Sequence, residues 1–451
     1  MVTFREILPA AVAVAALCVA MAPSPARALT LEEALALARQ NAPAIHVSDA
    51  GVLRAEEAIR EARAALSPTL RVAGSAVERS EPIRTAFPIP GSPNPQTVKV
   101  GSATSVDVRA EGRLPIDASG RDRALVRAAE AAHRGQLHVR EQADSDLLFN
   151  VSRAYYLAVA AERLETAAGE ALDAAGARRR LASAQVRAGV AQRFDSLQAR
   201  VDLIGRESGL LRAREAVRVA RVELATAVGT GIDSTETLTA PGPPPMKLPD
   251  GAVLETAALA ARPELKAYDE ALRENAERTR AARAGRGPQM GLSGTAQYLG
   301  PNRQEEFFNF NDPGLKTYNL YAGVDLSLSL FDGGLAAARA GELRADRAAI
   351  EARRRQAELD VKRDVQRALS DLRVALAIWQ SDSSRVTAAR EALRLAETGY
   401  RGGTATASQV RDAESALAEA RAQEAQSLMD TWIARAEVSH AVGLVVMPGE
   451  R

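Results

Sequence analysis

The chain carries its own plan twice. Pro43 and Pro68 are echoed by Pro263 and Pro288, each 220 positions further on. The run Leu114-Pro115-Ile116-Asp117-Ala118-Ser119-Gly120 returns as Leu328-Ser329-Leu330-Phe331-Asp332-Gly333-Gly334. Arg187-Ala188-Gly189 returns as Arg401-Gly402-Gly403, and Val228-Gly229 as Val442-Gly443. A repeat this long is a duplicated architectural unit rather than a short solenoid motif. Length alone suggests two or three domains, but two half-units of one plan can share one body. Each copy holds two strand-like segments among long helices.

Helix signals recur in both copies. Thr30-Leu31-Glu32-Glu33 spells a capping box, with Glu33 placed to reach back to the cap. Val52, Ala55, Ile59, Ala62 and Leu66 follow the three-four spacing of a coiled-coil seam, and Pro68 ends it. The pattern predicts helices over about 119–187 and 193–228 in the first repeat. In the second it predicts about 253–284, 333–400 and 405–442, with Leu369, Leu372, Leu376, Trp379, Val386, Ala389, Leu393, Ala396 and Tyr400 along one seam. The longest spans are on the order of 100 Å at 1.5 Å per residue. The divisions expected are a leader at 1–28, a first repeat at 29–240, a linker at 241–250, a second repeat at 251–443 and a tail at 444–451.

Four segments alternate with period two: about 70–77, 104–114, 289–298 and 319–331. In the second, Val106, Val108, Ala110, Gly112 and Leu114 oppose Ser105, Asp107, Arg109, Glu111 and Arg113. In the last, Leu320, Ala322, Val324, Leu326, Leu328 and Leu330 oppose Asn319, Tyr321, Gly323, Asp325, Ser327 and Ser329. One apolar and one polar face fit a strand between two different media. The Pro-rich stretch 81–96 and residues 305–318 read as loops. Four strands cannot close a barrel, for which about eight is the minimum, so open edges demand further copies. Three copies supply twelve strands and twelve helical columns. Tyr298, Tyr318, Tyr321 and the Phe307-Phe308-Phe310 group offer a partial aromatic belt.

Met1 to Ala28 reads as a secretory leader. Arg5 is its basic start, Leu8 to Ala22 its apolar stretch, and Ala26-Arg27-Ala28 its cleavage signal, so the mature chain is expected to begin at Leu29. The one cysteine, Cys18, falls inside that leader and follows Leu17, which does not suit a lipid anchor. No thiol chemistry is expected in the mature chain. A net charge of +1 gives no field for nucleic acid.

With these features in order, the chain resembles the TolC-type outer membrane efflux factors over its whole mature length. The marks are Leu29-Thr30-Leu31-Glu32-Glu33-Ala34-Leu35 with Asn41 and Pro43, the Leu330-Phe331-Asp332-Gly333-Gly334 corner, and Gly399-Tyr400-Arg401-Gly402-Gly403-Thr404. The resemblance implies a mainly helical fold with a β-barrel portion: a long α-helical barrel of coiled coils, plus four transmembrane strands per chain that close into a twelve-stranded barrel in a homotrimer. It implies the exit duct of a tripartite efflux or type I secretion system in the outer membrane lipid, with helices in the periplasm. A periplasmic adaptor would join it to an inner-membrane pump of RND or ABC type. The resemblance places a closed-state lock at Tyr400 and Asp195, with Ala405 where the family has an arginine. It places a cation-attracting carboxylate at Asp412, with Gln409 where the family has a second. Gly189, Gly402 and Gly403 would mark the hairpin tips where an adaptor docks.

Nothing in the residues nominates an enzyme, a cofactor or a metal. The four histidines, His46, His133, His138 and His440, form no ligand spacing. There is no phosphate-binding glycine loop and no nucleophile elbow. The competing expectation is a soluble periplasmic coiled-coil adaptor or scaffold. A third, a secreted hydrolase on a helical stalk, lacks a catalytic constellation.

Overall fold

The computed structural model describes residues 28–81, 84–88, 96–99, 104–231, 237–248, 250–300 and 317–443. Its elements in chain order are β1 (Ala28–Leu29), α1 (Leu31–Asn41), α2 (Pro43–Ala64), β2 (Thr69–Glu78), β3 (Arg84–Phe87), β4 (Gln96–Lys99), β5 (Thr104–Ile116), α3 (Arg121–Arg187), α4 (Arg193–Val228), β6 (Thr237–Leu238), α5 (Gly251–Ala261), α6 (Pro263–Ala284), β7 (Gln289–Gly300), β8 (Thr317–Ser327), α7 (Leu335–Arg401) and α8 (Ala407–Val442). They fall into two compact units. The expected leader up to residue 27, the tail from 444 and the Phe307-Phe308-Phe310 group lie outside the described residues.

The first unit is helical and draws on the chain up to Ala50, His138–Leu265 and the stretch from Gln356 onward. Glu33 N–H donates to Thr30 Oγ1 at 3.2 Å and Thr30 N–H to Glu33 Oε2 at 3.1 Å, closing the capping box that starts α1. The second repeat departs from the single helix expected over 253–284. It breaks at Arg262, because Pro263 lacks an N–H and disfavours helical backbone before it, so Pro263 starts α6 as Pro43 starts α2. Each Pro joint sits against the end of a long helix. Gly229 ends α4 at φ +80° beside Asn41 and Ala42, and Gly443 ends α8 at φ +74° beside Arg262. Arg262 is buried there and donates from Nε to the Ala441 carbonyl at 2.8 Å.

The core of this unit gathers Ala34, Ala38, Ile45, Val151, Tyr155, Val159, Leu224, Val228 and Met429. Tyr155 lies fully inside it and shares its one hydroxyl proton between Leu29 O at 2.9 Å and Thr239 O at 2.8 Å. It thereby pins the short parallel pair β1–β6 to α3. Burial pushes the hydroxyl up to about 12 from its ordinary 10.0. A raised value means the folded state holds the proton more tightly, so this stabilisation is complete below about pH 10 and is lost as pH rises toward 12. Tyr155→Phe strands two carbonyls and is expected to cost about 1–3 kcal/mol. Its melting curve should also lose the extra fall between pH 10 and 12 that the unsubstituted protein shows.

Within the same unit the long helices line up in the order α4, α3, α8, α7. Arg221 on α4 pairs with Glu162 on α3 at 2.6 Å. His440 on α8 meets Asp146 on α3 at 2.7 Å and stacks on Phe149, and this contact holds the Asp146 carboxyl below its usual range. Val386 on α7 packs with Leu417 and Ala420 on α8, continuing the seam read from the sequence.

The second unit, Gly51–Leu137 with Lys266–Arg355, holds a four-stranded antiparallel sheet in the order β2-β5-β7-β8. The strand expected over 319–331 stops at Ser327. Leu328, Leu330 and Phe331 lie beyond it and are exposed. The stretch 81–96 expected as an exposed loop holds one strand of a small antiparallel pair, Arg84–Phe87, whose partner Gln96–Lys99 starts at its end. Duplicated aspartates turn each strand into its helix: Asp117 accepts from Arg123 N–H at 3.0 Å, and Asp332 accepts from Ala336 N–H at 3.0 Å. Each carboxylate caps the orphan amides of a long helix.

Candidate functional site

The sheet is the first component. Its register stacks Leu70, Gly112, Gly294 and Ala322 across the four strands. The next row on that face is Val72, Ala110, Ala296 and Leu320. Leu114, Leu292 and Val324 continue it, as do Ile116, Met290 and Leu326. Apart from the end pair Glu78 and Thr104, this face carries no charge or hydroxyl other than those of Tyr298 and Tyr318. These two rings meet at 5.2 Å near the far end of the strands. The opposite face carries Arg71 across from Glu111, Arg109 bonded to Asp107 at 3.2 Å, and Gln297 Nε2 donating to Asp107 at 3.0 Å. Tyr321 falls on this polar face, where the alternation over 319–331 puts it.

The apolar face of this sheet is left open. Leu70, Val72, Leu320, Val324 and Leu326 are each more than 60% exposed. Its two edges, β2 and β8, pair with nothing among the described residues. A sheet with an uncovered apolar face and two unpaired edges needs both lipid and neighbours. No described helix is long and apolar enough to cross a membrane.

The helical hairpin turns are the second component. They are built alike. Gly189 has φ +74° and Gly403 φ +73°. Val190 N–H returns to Gln185 O at 3.0 Å, and Thr404 N–H to Gly399 O at 2.8 Å, the six-to-one bond of a Schellman turn. Gly402 donates to Thr398 O within the second turn. A Cβ at Gly189 or Gly403 would meet only open space.

The sequence candidates near these turns lie on three different helices. Asp195, in the first turn of α4, accepts from Gln192 N–H at 3.2 Å and serves its own helix start. Tyr400, at the end of α7, is half exposed. Asp412 lies exposed on α8. Gln409 closes a capping box with Thr406, whose N–H donates to Gln409 Oε1 at 2.8 Å.

One link between the two hairpins was not announced by the sequence. Arg178 on α3 reaches Asp202 on α4 through Nη2 at 3.0 Å and Glu414 on α8 through Nη1 at 2.6 Å. Arg206 adds a second contact to Asp202 at 3.4 Å. Arg178 stands eleven residues before Gly189, and Glu414 eleven after Gly403, so both are roughly 16 Å along their helices from the turns. Residues 236 apart in the chain give no local signal of such a pairing. Among the described residues no cluster of ligating side chains could hold a metal ion.

Comparison with known proteins follows the same lines. The family model described as outer membrane efflux protein matches residues 34–230 and 254–444. Among curated proteins, none matches the chain. Of solved structures, the outer membrane protein VceC from Vibrio cholerae shares 20% identity, covering 92% of this chain and 96% of that one, with a TM-score of 0.68. The Neisseria gonorrhoeae MtrE outer membrane channel, solved in its open state, shares 20% identity, covering 94% of each chain, with a TM-score of 0.71. The Campylobacter jejuni CmeC outer membrane channel shares 16% identity, covering 93% of this chain and 87% of that one, with a TM-score of 0.73.

Proposed function

We propose, since the chain belongs to the outer membrane efflux protein family, that it is one third of a passive exit duct whose wall in the membrane is the two-faced sheet. Membership makes it an outer membrane efflux channel protein, and the soluble scaffold expectation falls. The observation that supports the trimer is the register: every apolar row lies on one face, while the outer edges of β2 and β8 have no partner strand among the described residues. With four antiparallel strands, β8 of one copy meets β2 of the next antiparallel, and three copies close twelve strands around a polar lumen. The duct itself would perform no chemistry and couple no energy. A periplasmic adaptor docking near Gly189, Gly402 and Gly403 and an inner-membrane pump of RND or ABC type would supply cargo and work. Trimer-sized mobility on unheated gels, collapsing to monomer on boiling, tests this; monomer in both lanes would overturn it.

Closure at the hairpin end is the second part of the reading. The bidentate Arg178 bridge ties α3 and α4 to α8, and Asp195 with Tyr400 adds to it once copies pack together. Arg178→Met is expected to raise single-channel conductance in planar bilayers more than Asp195→Ala with Tyr400→Phe does. Conductance unchanged in Arg178→Met would remove the bridge from the gate. Three Asp412 carboxylates around one axis would attract cations. Asp412→Asn is therefore expected to weaken block by multivalent cations, and undiminished block would place the ring elsewhere.

A further inference from the structure

In the second unit α6 runs into the sheet and α7 leaves it from the same end, so the two helices are antiparallel neighbours. Toward the sheet, Ala281 and Ala340 are buried. Farther along, Arg354 Nε donates to Asp269 at 2.7 Å and ties α7 to α6. Between these two levels lies a cleft of about 270 Å³. Ala271, Leu343 and Ile350 give it an apolar wall. Asn275 lines it as well; the residue is only 5% exposed, and its Oδ1 is buried with no hydrogen-bond partner. Buried polar atoms are almost always paired, so this oxygen calls for an N–H donor.

Two charges at the cleft are also unanswered. Asp346 and Arg353, both exposed on α7, make no ion pair among the described residues. Glu274 and Arg278, on the α6 side, satisfy each other at 2.6 Å. The first repeat shows that the fold does not demand this polar set. At the offsets of the repeat, 220 for α6 (263 − 43) and 214 for α7 (403 − 189), Asn275, Asp346 and Arg353 correspond to Ala55, Ala132 and Val139. Ala271 and Ile350 correspond to Gly51 and Gln136, and there the Gln136 side chain lies over Gly51.

We propose that this cleft binds a small zwitterion of the class of a dipeptide. Its ammonium donates to Asn275 Oδ1 and Asp346, its carboxylate meets Arg353, and its side chains lie on Leu343 and Ile350. Asp346 and Arg353 are seven residues apart, two turns and about 10 Å along one helix face. The flexible arginine stem folds back over part of that distance. What is left suits two residues of extended chain at about 3.3–3.6 Å each. A simple cation would leave Arg353 unanswered, and a simple anion would face Asp346 and the Asn275 oxygen. Once bound, the dipeptide ties α6 to α7 across the gap. Every contact comes from one chain, so the site is independent of the trimer reading.

Titration calorimetry on the purified full chain in detergent, with alanyl-leucine as the probe, tests the site. The peptide is expected to bind saturably, one per chain, and to raise the melting temperature. N-acetyl-alanyl-leucine and alanyl-leucine amide each lack one charge and should bind at least about tenfold more weakly. Asp346→Asn should erase the preference for the free amine, and Arg353→Met the preference for the free carboxylate. Asn275→Leu should melt no lower than the unsubstituted chain and take up no peptide. No saturable binding up to about 10 mM would overturn the site. Equal binding of free and blocked peptides would do the same, as would undiminished binding by Asn275→Leu.

Discussion

Gly229→Ala is expected to leave little folded protein to purify. The residue ends α4 at φ +80°, where an L side chain costs about 1–2 kcal/mol. An added Cβ would also stand 2.6 Å from Asn41 O and 2.9 Å from Ala42 Cα. Those atoms are backbone at the joint before Pro43, so no rotamer change can move them aside. Together the two effects should exceed about 4 kcal/mol, a large share of the roughly 5–15 kcal/mol that holds a domain together. The repeat supplies its own controls. At Gly443 the nearest atom is Arg262 Cα at 3.3 Å, and at Gly189 nothing lies within 4 Å. The order of melting temperature in detergent should therefore be Gly189→Ala above Gly443→Ala above Gly229→Ala. Equal melting of all three would mean that the Asn41–Pro43 joint yields, and the close approach would lose its significance.

Val324→Arg and Asp325→Arg, neighbours on β8, should behave as opposites. Val324 shares the apolar face with Leu292 and Leu114, whereas Asp325 lies on the polar face across from Gly291. An arginine on the lipid side near mid-membrane costs about 2–4 kcal/mol, and three copies bear it at once. Val324→Arg should abolish the trimer band on unheated gels. Asp325→Arg should keep the band and shift ion selectivity toward anions. Retention of the band in Val324→Arg together with its loss in Asp325→Arg would reverse the two faces.

Short-range features were legible in the chain because their causes are local. The Thr30–Glu33 capping box, the Gly189 and Gly403 turns and the alternation in β5 and β8 each depend on residues within one turn or one strand. The break at Arg262 escaped because the apolar pattern runs on through it, although Pro263 stood in plain view. Strand β8 was drawn too long because Leu328 and Leu330 keep the period after the backbone has left the sheet. The Arg178 bridge joins three helices across long sequence gaps, and no periodicity reports a contact of that kind. Gln409 could have been foreseen: Thr406 three residues before it spells the same cap that was recognised at Thr30. Family resemblance drew attention to the missing carboxylate instead.

The polar face of the sheet has a further consequence. Four of its charges, Asp107, Arg109, Glu111 and Arg113, lie on β5, while β2 offers only Arg71, β8 only Asp325, and β7 the uncharged Ser293, Thr295 and Gln297. Closed by three-fold rotation, such a wall is striped: three charged lanes, each one strand wide, alternate with broader and sparsely charged ones along the bore. An ionic solute would find three such lanes to follow, and each would be the same as the last. Rotation, rather than unbinding, would carry it from one contact to the next.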